Sequence, residues 1–289
     1  MTRTFKDLLF HSNDGLELYA RDYPALEEES LTIFCMAGLT RNSIDFAPLI
    51  ETFSPAYRVI CVDQRGRGLS EYDSKPGNYQ VAVYVGDMFK LLDELAIQQT
   101  VLIGTSLGGI MAMAMQALRP GDFKAIVLND IGPDLDPVGM NRIKDYVGES
   151  APVTTWDEAA ERLHSTSDYI FPDYSAEDWM SMARRLYKED ESGIPVLNFD
   201  PKISEPMSGE GSETENADLW ALFETCRELP LLLLRGELSD LLHPDCVAKM
   251  QSISPTMQFV ELPRVGHAPV LDEAVAVTAI NGFLRSLSS

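Results

Sequence analysis

The hexapeptide Gly104-Thr105-Ser106-Leu107-Gly108-Gly109 follows an apolar run ending at Ile103 and opens a second apolar stretch at Leu107. A serine flanked by glycines two residues away on each side, at a strand-to-helix turn, is the elbow that lifts a nucleophilic hydroxyl clear of the backbone. The turn is tight enough that side chains at 104 and 108 would collide. The helix start behind it offers free N–H groups and the positive end of a dipole. Serine alone is a weak nucleophile and needs a base, which needs an orienting group in turn. The expected base is His267, framed by Val265-Gly266 and Ala268-Pro269 directly after the last strand pattern. His243 competes, but it stands three residues from the candidate acid, as a neighbour rather than a partner. That acid is expected at Asp240, on the loop after Leu231 to Leu234, with Asp130 as the competing choice after Leu128-Asn129. Loop placement and the order Ser…Asp…His favour Asp240, leaving Asp130 to cap or brace the same edge. An oxyanion needs two N–H donors: Leu107, next after the serine, and Leu39, in the loop Ala37 to Asn42.

These residues need a scaffold that gathers strand ends. The turn signal Asn13-Asp14-Gly15 separates Phe5 to His11 from Leu16 to Tyr19, a hairpin pattern. Leu31 to Met36, Arg58 to Val62, Thr100 to Ile103 and Ala125 to Leu128 are apolar without alternation, as expected of strands buried on both faces. Between them Val81 to Leu95 repeats apolar residues at three- and four-residue spacing, and Leu107 to Leu118 is apolar almost all round. Strand and helix in alternation predict a parallel sheet with right-handed crossovers. Residues 134 to 217 break the pattern with amphipathic segments and prolines, and they show no convincing buried strand. Ser208 to Asp218 reads as a polar, acidic, solvated loop. Strands resume at Leu231 to Leu234 and Met257 to Leu262, and Leu271 to Leu287 reads as a closing helix.

Taken together, these motifs resemble the α/β-hydrolases of the broad esterase, lactonase and carbon–carbon hydrolase group. The likeness rests on the hairpin start, Asp63-Gln64-Arg65-Gly66-Arg67-Gly68-Leu69-Ser70, the elbow at Ser106, the Arg235-Gly236…Ser239-Asp240 segment and Gly266-His267. It implies an α/β-hydrolase fold: a mostly parallel eight-stranded sheet flanked by helices, residues 1–133 and 218–289, with a helical cap inserted at 134–217. It implies that Arg65 and Arg67 brace a turn rather than hold substrate. The family's oxyanion loop usually begins His-Gly; here it is Ala37-Gly38, so a side-chain brace is missing although the backbone donor is kept.

The expected activity is hydrolysis of a small-molecule ester or lactone by an acyl-enzyme mechanism, with no metal and no organic cofactor. Carbon–carbon bond hydrolysis of a diketone-like substrate, with Arg41 as an anion holder, is the alternative within the same machinery. A ligand receptor on a hydrolase scaffold is the alternative outside catalysis. Phe171 and Trp179, aromatic residues of the insertion, are expected at the pocket wall. With 289 residues the chain is long enough to bury a large core without staples, and its net charge of −22 argues against nucleic acid and anionic membrane as partners. The same acidity slightly disfavours anionic substrates. Four cysteines without metal-ligand spacing and an N-terminus without an apolar leader segment predict a reduced, cytoplasmic protein.

Overall fold

The apolar runs assemble into one eight-stranded sheet in the computed structural model, which describes residues 3–26, 31–148, 152–207 and 218–287. β1 (Lys6–His11) and β2 (Glu17–Tyr23) form the antiparallel hairpin, turning through Gly15 at φ +93°. β2 lies antiparallel to β4 (Arg58–Asp63), which pairs in parallel with β3 (Thr32–Met36). The sheet continues in parallel through β5 (Thr100–Thr105) and β6 (Phe123–Asn129). β7 (Tyr187–Glu189) and β8 (Pro195–Leu197) form a separate antiparallel pair. β9 (Leu231–Gly236) and β10 (Gln258–Leu262) complete the large sheet, in the order β1-β2-β4-β3-β5-β6-β9-β10. Because β3 to β6, β9 and β10 run the same way, their carboxyl ends meet at one edge, where open α/β sheets bind ligands. Register sharpens this: Thr105 pairs with Asn129 and Asn129 with Leu234, so Ser106, Asp130 and Arg235 follow side by side.

Burial on both faces explains the unbroken apolar runs. Along β3, Phe34 and Met36 enter one core cluster while Ile33 and Cys35 enter the other. The first cluster is covered by α2 (Val81–Glu94) and α3 (Leu107–Leu118), the second by α1 (Ala47–Ile50) and by a C-terminal helix (Ala274–Ser286). Val85, Met88 and Leu92 of α2 are buried as their spacing predicted, and α3 is buried from Gly108 through Gln116. Truncating a fully buried leucine such as Leu102 to alanine in such a core costs about 2–5 kcal/mol. All four cysteines are free and buried.

Between β6 and β9 the chain forms α4 (Pro137–Gly148), α5 (Trp156–Ser167) and α6 (Ala176–Leu186), then the β7–β8 pair and a 3₁₀ segment at Pro201–Met207. Thr155 caps α5, and a reciprocal Ser175–Asp178 box caps α6. Trp179, Met182, Leu186 and Phe171 pack with Val265 and Val270 of the loop that carries His267. The β7–β8 pair was not anticipated, because each strand has only three residues and its exposed Lys188 and Glu189 give no apolar signal. The acidic loop expected at Ser208 to Asp218 lies outside the described residues except for Asp218, whose side chain caps α7 (Leu219–Glu224). α8 (Pro244–Ile253) connects β9 to β10, and the C-terminal helix is α9. Among the described residues, no helix is long and apolar enough to cross a membrane.

Candidate active site

Ser106 follows the last residue of β5 and precedes α3, with φ +51°, a conformation that costs a non-glycine residue on the order of 1–3 kcal/mol. The glycines around it are dictated by space. A Cβ on Gly104 would stand 2.3 Å from the Gly108 carbonyl oxygen, and one on Gly108 would stand 2.1 Å from that of Met36. The close packing of elbow against β3 brings the Ala37–Arg41 loop beside the serine. A Cβ on Gly38 would touch Arg41 Cγ at 3.6 Å and Ser106 Cβ at 3.7 Å.

Ser106 Oγ lies 2.9 Å from His267 Nε2, and His267 Nδ1 lies 2.8 Å from Asp130 Oδ2. With Nδ1–H donating to the carboxylate, Nε2 is left bare and accepts the serine hydroxyl proton. Asp130 is fully buried and is fixed twice more: Oδ1 accepts from Gly236 N–H at 2.8 Å and Oδ2 from the Ser239 hydroxyl at 2.6 Å. The chain Ser106–His267–Asp130 is therefore continuous, and it can move a proton from hydroxyl to imidazole while the imidazolium is stabilised by a buried carboxylate.

Asp240 is not in this chain, which corrects the expectation from loop placement. Its carboxylate accepts two hydrogen bonds from Arg142 of α4, at 2.6 and 2.7 Å. Burial alone would raise its pKa, but the Arg142 guanidinium holds it below the ordinary carboxylate value. The physical reason is the path of the loop after β9. Gly236 and Ser239 close over Asp130, and Asp240, one residue further, is turned out toward α4. His243, the competing base, instead caps α8.

The Ala37–Asn42 loop, expected to carry an oxyanion donor without the family's histidine brace, is held by Gln64, which sequence reading did not single out, and by Arg67, which was expected to brace only its own turn. Gln64 Nε2 donates to the Ala37 carbonyl at 3.0 Å, and Arg67 Nε donates to the Leu39 carbonyl at 2.7 Å. Arg67 is fully buried; its Nη1 also donates to the Arg65 carbonyl and to Tyr84 Oη. Two buried side chains thus hold the Ala37–Gly38 and Leu39–Thr40 peptides, which flank the peptide that carries the Leu39 N–H. Leu107 N–H, at the first turn of α3, has no intrahelical acceptor. Arg65 is spent elsewhere, on Asp14, Asp73 and Asp87.

Ser106 stands where two cavities meet. The larger, about 500 Å³, is walled by Leu39, Leu107, Ile110, Ile131 and Met140 among other apolar groups. The smaller, about 170 Å³, is lined by Thr40, Arg41, Arg142, Tyr146, Phe171 and His267. Arg41 thus reaches the site, paired with Asp45 through Nε and Nη2. Phe171 lines the smaller cavity, but Trp179 lines neither. It is buried in the inserted segment, with its ring stacked 5.4 Å from His164 and edge-on to Phe171 and Tyr174. No three His, Cys, Asp or Glu side chains among the described residues converge as a metal-binding group.

A family profile for the alpha/beta hydrolase fold matches residues 32–274. A crystal structure of an alpha/beta hydrolase from Novosphingobium aromaticivorans superposes with a TM-score of 0.93, at 39% identity and over 99% of both chains. The 3-hydroxybutyrate-oligomer hydrolase of Cupriavidus necator is 34% identical over 87% of this chain and 87% of its own. The 2-(acetamidomethylene)succinate hydrolase of Mesorhizobium japonicum is 26% identical over 86% and 85%. Profile, fold and elbow geometry agree that this chain belongs to the α/β-hydrolase family and is a hydrolase.

Proposed function

We propose that the chain is a serine hydrolase of carboxylic esters, acting on short esters of 3-hydroxy acids by acyl transfer through Ser106. The observation that carries this reading is the unbroken Ser106–His267–Asp130 hydrogen-bond chain at the junction of two cavities. The choice of ester class rests on the similarity to the 3-hydroxybutyrate-oligomer hydrolase. His267 Nε2 takes the proton of Ser106 Oγ as the oxygen attacks the ester carbonyl. Asp130 holds the imidazole in the working tautomer and stabilises its charged form. The oxyanion turns toward the N–H groups of Leu39 and Leu107, where loss of one donor typically costs ~10²–10³ in kcat. The imidazolium gives its proton to the departing alcohol oxygen, and the C–O bond breaks. Water, deprotonated by the same imidazole, then releases the acid and restores Ser106.

Residues 134–217 act in this reading as a cap on the core formed by 1–133 and 218–289. Arg142, Ile143, Tyr146 and Phe171 wall the cavities from above the sheet edge and exclude water from the reacting bond. The test is hydrolysis of a 3-hydroxybutyrate dimer and of p-nitrophenyl butyrate by wild type and Ser106→Ala. Turnover should fall at least ~10³-fold in the variant. A fluorophosphonate should add covalently to Ser106 of the wild type. Equal turnover by both proteins refutes the reading.

A further inference from the structure

The two cavities are not equivalent toward the reaction, and this assigns their contents. The proton that His267 took from Ser106 must next be given to the leaving alcohol oxygen. His267 lines the smaller cavity and does not line the larger. The alcohol portion of the ester therefore lies in the smaller cavity and the acyl portion in the larger. Their sizes differ accordingly. About 170 Å³ is the share of roughly six liquid waters, room for one short group, whereas about 500 Å³ accepts a longer chain.

Chemical linings differ as well. The larger cavity is mostly aliphatic, while the smaller presents two guanidinium groups, Arg41 from the core loop and Arg142 from α4, with the Tyr146 hydroxyl between elements at 3.1 Å from Thr40 Oγ1. Each arginine is bound by one aspartate through Nε and Nη2: Arg41 by Asp45 and Arg142 by Asp240. A guanidinium has five N–H donors. No described residue accepts from Nη1 of either arginine, so each retains donors after its aspartate is satisfied. The aspartates cancel the arginine charges without adding a surplus. With the Asp130 carboxylate behind His267 the subsite has no surplus of positive charge, so what it offers an anion is these remaining N–H donors, within a chain of net charge −22.

We propose that the smaller cavity is a carboxylate subsite, with Arg142 as its principal recognition group and Arg41 as its second. The enzyme then cleaves the ester bond nearest the free carboxyl end of a hydroxy-acid oligomer and releases one hydroxy acid per turnover. This rests on the ester-hydrolase reading above and deepens it. In the step, Ser106 Oγ bonds to the acyl carbon of the penultimate unit. The C–O bond to the terminal unit breaks, and its oxygen takes the His267 proton. The product leaves as a 3-hydroxy acid whose carboxylate was never part of the chemistry.

Two measurements test it on the full chain. The first uses wild type and a 3-hydroxybutyrate trimer carrying ¹³C only in its carboxyl-terminal unit. Labelled monomer is the expected first product, and labelled dimer as the main first product would overturn the proposal. The second compares the dimer as free acid with its methyl ester. Wild type should prefer the acid, and Arg142→Gln should lower the acid-to-ester ratio of kcat/KM by about 10–100-fold, the range for a hydrogen bond to a charged group. Arg142→Lys, which keeps the charge, should fall between them. An acid-to-ester ratio near one in wild type, with turnover still abolished by Ser106→Ala, sinks the subsite and leaves the ester-hydrolase reading intact. Turnover that survives Ser106→Ala sinks both. If Arg142→Gln does not fold, the labelled trimer and the wild-type ratio decide.

Discussion

Replacing Asp130 by asparagine tests the orienting acid, and the hydrogen bonds around it set the size of the effect. Asparagine has one oxygen and one NH₂ where aspartate has two acceptors. The Gly236 N–H that donates to Oδ1 is a backbone donor and cannot be reversed, so the amide oxygen is drawn to that side. The NH₂ then takes the place of Oδ2, facing His267 Nδ1 and the Ser239 hydroxyl. Ser239 can rotate its proton away, but the imidazole can comply only by giving up the Nδ1 proton. Nε2 becomes protonated and faces Ser106 as a donor across 2.9 Å, unable to accept its proton. A triad acid turned to its amide loses ~10⁴ in kcat, or about 5 kcal/mol of transition-state stabilisation. The flipped amide sets NH₂ against Gly236 N–H and leaves a buried donor unpaired, a stability cost of about 1–3 kcal/mol. Asp240→Asn keeps one acceptor for Arg142 and touches neither Ser106 nor His267, so its kcat toward p-nitrophenyl butyrate should stay within about tenfold of wild type. The assay is kcat at saturating substrate together with the melting temperature of each variant. A ~10⁴-fold loss in Asp240→Asn beside a near-normal Asp130→Asn would refute the reasoning.

Arg67→Met removes the donor to the Leu39 carbonyl, frees the peptide next to the one that carries the Leu39 N–H, and should lower kcat by ~10²-fold with KM less affected if that N–H serves the transition state; a change in KM alone would contradict this. Burial pushes the Glu273 carboxyl up, and its buried Oε2 has no hydrogen-bond partner among the described residues while Oε1 accepts from Val270 N–H. The folded state then binds the proton more tightly than the unfolded one, so stability falls as pH rises from the ordinary glutamate value through the raised one and stays lower above it. Glu273→Gln should therefore raise the melting temperature at pH 8 more than at pH 4, and an equal gain at both would remove the explanation. Trp179→Ala should destabilise by about 3–5 kcal/mol and leave ester preference unchanged. Phe171→Ala should shift preference between small and bulky alcohol groups by about 1–3 kcal/mol. Relative kcat/KM values and melting temperatures of the same two variants check both.

The sheet was legible because burial on both faces leaves no choice of residue. Leu31 to Met36 has to be apolar on alternate sides, and Phe34 and Cys35 do enter different cores. The elbow was legible because its motif is contained in six residues, within which a Cβ on Gly104 already meets Gly108, although the exclusion at Gly108 itself comes from Met36 of β3. Three-residue strands were not, since Tyr187–Glu189 and Pro195–Leu197 gain their pairing from each other and are too short to carry a pattern of their own. Nor was the brace on Leu39, where the donor lies 28 residues away in sequence.

The choice between Asp130 and Asp240 lay beyond sequence for a geometric reason. Both aspartates fall between Ser106 and His267 in the chain, and both follow strands that are neighbours in the sheet, so the chain order and loop placement that favoured Asp240 apply to Asp130 as well. What separates them is which carboxylate finds enough donors to be buried. Asp130 directly follows β6, where the edge supplies a backbone N–H from Gly236, a hydroxyl from Ser239 and the imidazole of His267. Asp240, four residues past the end of β9, has left that edge and meets a cation from the inserted segment instead. The pairing with Arg142 joins two stretches nearly a hundred residues apart, and it has a functional consequence under the carboxylate reading. An acid freed from orienting the histidine is available to hold the guanidinium of Arg142 in place. The same substitution of role that gives His267 its partner thereby supplies the leaving-group cavity with a fixed donor.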